Sequence, residues 1–185
     1  MSLRVTFELG DADLKHFRLI MKEAREATTE LQPDEILQAA RGLLESVGDI
    51  EVPDFVSSRL RKIQTMIDMV EDDDWQLPED ETARVMNALA YFGEPEDLIP
   101  DHIPGLGFLD DAIYAEIVLG ELRSEISLYE EFCTYRQAEE ARRSARGEDV
   151  KIGRDEWLAD KRAALHAKMR KRRVAEGGRS RWRLW

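Results

Sequence analysis

Pro33, Pro53 and Pro78 each stand at the head of a stretch whose apolar residues recur three and four positions apart. Proline is tolerated in a first helical turn, where its absent N–H would have had no partner, and it breaks a helix further in. These residues therefore mark helix starts. The first two stretches carry Ile36, Leu37, Ala40, Leu43, Leu44 and Val47, then Phe55, Val56, Leu60, Ile63, Ile67 and Val70. The third, over about 79–92, turns Val85, Met86, Leu89 and Phe92 inward. Stripes at this spacing are buried helix faces.

The same spacing predicts three further helices. One runs over about 12–28 with Asp11 as its N-cap, one from Leu109 until Gly147 breaks it, and one over about 155–175 until Gly177-Gly178. Residues 3–9 differ: Leu3, Val5, Phe7 and Leu9 alternate with polar neighbours, the period of a strand or extended arm. The expected fold class is mainly α, a compact bundle of about five helices with a short N-terminal strand or arm and a basic C-terminal helical extension. Residues 1–150 form the helical domain; residues 151–185 form the extension, partly helical, its tail expected to be mobile.

Charge divides the chain. Residues 1–153 hold 16 Lys/Arg against 35 Asp/Glu, a balance of −19, whereas residues 154–185 hold 11 against 4, a balance of +7. Charged residues make up 36% of the chain, above the usual quarter or so, and belong on solvated helix faces. The run Glu71-Asp72-Asp73-Asp74 follows a helix C-terminus, where negative charge is unwelcome, and reads as a solvated linker. The single cysteine, Cys133, forbids an internal disulfide and suits the cytoplasm. No apolar run approaches the roughly 20 residues of a membrane span, and the first residues lack a signal core.

One loop carries distinctive chemistry. It contains Pro95, Asp97-Leu98-Ile99-Pro100-Asp101, Ile103-Pro104, Gly107 and Asp110-Asp111 in order. Its prolines stiffen the backbone, and its apolar residues can plug the gap between two helices. The aspartates admit two interpretations: helix caps and turn closers, or a hard-cation site in which Asp97, Asp101, Asp110 and Asp111 converge on Mg²⁺, Mn²⁺ or Ca²⁺. His102 would join a softer metal. The spacing is that of neither an EF-hand nor a zinc motif.

This ordered set of prolines, glycines and aspartates resembles the signature of the YkvA-like family, a bacterial domain of unknown function, over about residues 80–130. The resemblance implies a compact helical domain with the loop between two helices, and it implies no reaction. Some relatives are more apolar here. This chain departs from them at Glu96 and His102, and Glu116, Glu121, Arg123 and Glu125 make the following helix amphipathic.

No catalytic set can be nominated: His16, His102 and His166 are scattered, and no phosphate-cradling glycine loop or nucleophile motif is present. The basic tail is the second candidate. Lys168, Arg170, Lys171, Arg172, Arg173, Arg179, Arg181 and Arg183 mix with Trp182 and Trp185. Such a segment can contact the acidic body of its own or a second copy, another protein, nucleic acid or an anionic membrane surface. Three functions follow as expectations: a non-enzymatic interaction or regulatory protein, a divalent-metal-binding protein or metal-dependent hydrolase, and a peripheral membrane protein.

Overall fold

The computed structural model describes residues 8, 10–27, 31–47, 52–93 and 108–182, with side chains for 8, 10–19, 31–47, 52–92 and 108–175. Among these residues there are six α-helices and no strand: α1 (Asp11–Ala27), α2 (Pro33–Val47), α3 (Asp54–Glu71), α4 (Glu79–Leu89), α5 (Leu109–Ala145) and α6 (Arg154–Trp182). A 3-10 turn, Ala90–Gly93, continues α4. Apart from Glu8, the alternating N-terminal segment lies outside the described residues, as do Asp97, Asp101 and His102.

The proline-marked starts hold. Pro33 is the first residue of α2, and the carbonyls of Pro53 and Pro78 accept from Ser57 N and Thr82 N at 3.0 and 2.8 Å. Two starts are boxed by a reciprocal carboxylate: Gly10 N–H donates to Asp13 Oδ2 at 2.9 Å and Gln32 N–H to Glu35 Oε2 at 2.7 Å. The N-cap of α1 is therefore Gly10, whose carbonyl takes the first intrahelical bond from Leu14, and not Asp11.

Two further expectations change. The last helix does not stop at Gly177-Gly178 but runs to Trp182. Glycine lowers helix stability by about 1 kcal/mol without forbidding the conformation, and a stop requires it to leave helical φ. Among the described residues the glycines in the left-handed region are Gly147 and Gly153, at φ 74° and 63°, which bound the turn between α5 and α6. Phe55, assigned to the buried stripe of α3, is 39% exposed, with the Arg59 guanidinium 4.2 Å from its ring centroid.

The chain divides into two compact units, residues 1–64 with 84–120 and residues 65–83 with 121–185. In unit 1, α1 and α2 both pack against the 3-10 turn. Its core includes Ala40, Leu60, Ile63, Leu89, Tyr114 and Val118. In unit 2, Trp75 is fully buried with Phe132, Leu128, Leu158, Leu165 and Met169. The last three lie at helical spacing along α6, so the basic segment is a packed component of this unit.

Candidate functional site

Two places concentrate polar chemistry, one in each unit. In unit 1 the site grows from the start of α5. Phe108, buried and at φ 64°, occupies the cap position, and its carbonyl accepts from Ala112 N at 3.0 Å. A left-handed conformation is unusual for a bulky residue and costs about 1–3 kcal/mol. The reversal places Asp110 and Asp111 in the first turn, 3% and 8% exposed. Their charge there suits the positive end of a 37-residue helix.

Aromatic rings close over this turn. Tyr91 of the 3-10 turn lies against Tyr114 of α5 with centroids 3.7 Å apart, Phe17 of α1 meets Tyr114 edge-on at 5.3 Å, and Phe92 meets Tyr91 at 5.3 Å. Burial pushes the Tyr91 hydroxyl far above its ordinary pKa; the contact with Tyr114 and the negative charges of Asp111 and Asp110 push it the same way. Burial also raises Tyr114, against the opposing contact with Tyr91. Both rings therefore stay protonated at neutral pH and serve as packing groups.

Of the four aspartates proposed for a cation, Asp110 and Asp111 share this turn and Asp97 and Asp101 lie outside the described residues. Among the described residues no three His, Cys, Asp or Glu side chains are grouped so as to hold a metal ion.

Unit 2 holds a larger array, and its centre is the acidic run after α3. Asp72 Oδ1 accepts from Asp74 N at 3.0 Å and Trp75 N at 3.2 Å, closing a tight turn, and from Arg136 Nη1 at 2.8 Å. Its Oδ2 accepts from the Tyr129 hydroxyl at 3.0 Å. Asp74 meets Arg136 at 3.0 Å and Arg154 at 2.8 Å, and its carbonyl accepts from Arg162 at 2.9 Å. Burial would raise the Asp74 pKa, but the hydrogen bonds and charges of Arg154 and then Arg136 outweigh it and hold the carboxyl below its ordinary value.

The run is thus a linker only in part. Asp73 faces solvent, while Asp72 and Asp74 turn inward onto arginines. The reason is Trp75: a large apolar ring one residue beyond the run demands burial, and it carries its neighbours with it. Trp75 packs on Phe132 at 5.0 Å, Tyr129 at 5.8 Å and His166 at 4.5 Å. The missed signal was a tryptophan set directly after a run of aspartates, with arginines available on two later helices.

The basic segment is met by carboxylates in the same way. Lys161 and Lys168 reach Glu131 at 2.8 and 3.1 Å, and Arg173 reaches both Asp80 and the buried Glu81 at 2.7 Å. Arg172 touches the Ser124 hydroxyl at 3.4 Å. Among the residues nominated for partner contact, Lys168, Arg172 and Arg173 therefore have intramolecular neighbours. Arg170 and Lys171 are exposed, with Val174 beside them at 77% exposure. The side chains of Arg179, Arg181, Trp182, Arg183 and Trp185 lie outside those described.

Residues 83–115 match the model of a protein family of unknown function, DUF1232. That segment begins in α4 and ends one residue beyond Tyr114, so it encloses Tyr91, Phe92, Asp110, Asp111 and Tyr114 of the unit 1 site, while Phe17 lies outside it. No curated protein and no solved structure matches the chain. Among the described residues no helix is long and apolar enough to cross a membrane.

Proposed function

We propose that the protein is a non-enzymatic interaction or regulatory protein, cytoplasmic, that meets an acidic protein surface or a second copy of itself through the outer face of α6. The supporting observation is the division of labour along that helix. Lys168, Arg172 and Arg173 are engaged by the chain's own groups, while Arg170 and Lys171 stand exposed next to Val174. Two cations beside an apolar side chain suit a compact acidic and apolar partner surface. The family-matched segment in unit 1 keeps its YkvA-like reading and acts as structural framework, its aspartates serving the helix dipole.

Removing α6 would be a poor test, because Leu158, Leu165 and Met169 would leave the core of unit 2. Reversing charge at the surface is cleaner. A double variant, Arg170→Glu with Lys171→Glu, should keep wild-type helicity and lose partner capture in pull-downs, or shift to smaller species in light scattering. Unchanged capture and unchanged size would refute the assignment. Flotation with anionic vesicles and retention on nucleic acid, each at low and high salt, report the rival partners.

A second interpretation has its own observation. Asp110 and Asp111 are adjacent carboxylates in the first turn of α5, the residue type that a hard cation takes as oxygen ligands. A divalent cation would be held by them together with Asp97 and Asp101, and metal-assisted hydrolysis would be the activity to seek. Calorimetry with Mg²⁺, Mn²⁺ and Ca²⁺ on wild type and Asp111→Asn decides this, and absence of heat at millimolar metal ends it.

A further inference from the structure

His166 lies at the middle of α6, half-buried, its ring edge-on to the fully buried Trp75 with centroids 4.5 Å apart. Its Nε2 is buried and, among the described residues, has no hydrogen-bond partner. A neutral imidazole tolerates this, because one ring nitrogen is then a mere acceptor; an imidazolium must place two N–H donors. We propose that His166 makes the docking of α6 onto the 72–78 turn proton-sensitive, firm when the ring is neutral and weakened when it takes up a proton.

The surroundings all bear on that proton. On α6 itself, Arg162 and Arg170 stand one turn to either side and repel a third positive charge. From the turn, the main-chain oxygen of Trp75 is the group that favours the charged ring. Of the carboxylates around them, Asp155 pairs with Arg162 at 2.8 Å, Asp72 is held by Arg136, and Asp74 is held by Arg136 and Arg154. From α5, Phe132 and Tyr129 reach Trp75 as rings, and Cys133 contacts Arg136. Burial raises both Tyr129 and Cys133, so neither supplies an anion near neutrality. Burial first, then Arg162 and Arg170, lower the His166 pKa against the Trp75 oxygen.

The direction of the pH effect follows. An unfolded chain protonates histidine near pH 6.5, whereas the folded unit resists until a lower pH. Stability is therefore complete above about pH 6.5 and declines as pH falls from there through the folded pKa. The decline therefore begins above the ordinary carboxylate range, near pH 4.

The test uses the full chain. Thermal unfolding of wild type at pH 7.5, 6.5 and 5.5 should show a fall of a few degrees, and His166→Gln should remove most of it. Equal pH dependence in the two proteins overturns the proposal. Should His166→Gln fold poorly, His166→Leu supplies the same comparison. The imidazole of His166, followed by NMR in the wild type, needs no variant at all. It should titrate below pH 6.5, with the Trp75 indole resonance moving in step; titration at or above that value, or a static Trp75, refutes the mechanism.

Discussion

The two units handle negative charge in opposite ways. In unit 1, Asp110 and Asp111 are withdrawn into the first turn of a helix beside tyrosine rings, all within a short stretch of sequence. In unit 2, carboxylates on 72–81 and on α5 are met by arginines and lysines from far along the chain, with separations of 62 to 93 residues for Arg136, Arg154 and Arg173. Local compensation leaves a contiguous signature, and residues 83–115 are the ones a family model matches. Dispersed compensation leaves none, although it draws on more of the molecule. A region can therefore be densely organised and still carry no recognisable motif.

Substitutions can break this contrast, and the largest effect belongs to the apolar centre of unit 2. Trp75→Ala removes the ring that holds Phe132, Tyr129 and His166 together and should cost about 3–5 kcal/mol, read by urea unfolding. An equal loss on substituting a solvent-facing aromatic would deny Trp75 its central place.

Arg136→Met comes next. The arginine and its two aspartates are 10–23% exposed at the side chain, so stranding Asp72 and Asp74 should cost about 2–3 kcal/mol, short of a fully buried pair. The cost should also depend on pH. Because Asp74 is held below its ordinary pKa, its pairing stabilises the fold above about pH 4 and is lost as pH falls through the lowered value. Wild type and Arg136→Met should therefore converge in acid, and a constant gap from pH 7 to pH 3 would assign the loss to packing alone.

The smallest effect sharpens the comparison from the other side. In unit 1 the Arg59–Glu116 pair, at 2.9 Å, is 31% and 49% exposed. Arg59→Met keeps the aliphatic stem near Phe55 and should change stability by less than about 0.5 kcal/mol, a change erased by salt. A loss as large as that of Arg136→Met would show that ion pairing organises both units alike.

Much of the fold was legible because its signals are local. Prolines at helix starts, apolar spacing and the break at Gly147 placed five of the six helices within a few residues, since each depends on the chain's immediate neighbourhood. The end of α6 was misplaced because glycine weakens a helix without dictating its φ. Asp72 and Asp74 read as solvated because the sequence shows their charge, while Arg136 and Arg154 lie 62 to 80 residues away. In the candidate site of unit 1, Asp110 and Asp111 were legible from the ordered loop, but Tyr91 and Tyr114 were not, because a ring pair across two elements has no spacing rule. The basic segment was visible as charge; its occupation by Glu131, Asp80 and Glu81 was not.

The long separations also set a timetable. Asp74 and Asp80 leave the ribosome 80 and 93 residues ahead of the arginines that neutralise them, Arg154 and Arg173. At roughly 5–20 residues per second that is a wait on the order of 5–20 s. Every residue of unit 1 has been made before α6 begins, so its folding need not await the C-terminal helix. Unit 2 must wait, and during the wait its like-charged carboxylates repel one another and other nascent chains, so the acidic run that later becomes an anchor first serves as the segment's own guard against premature association.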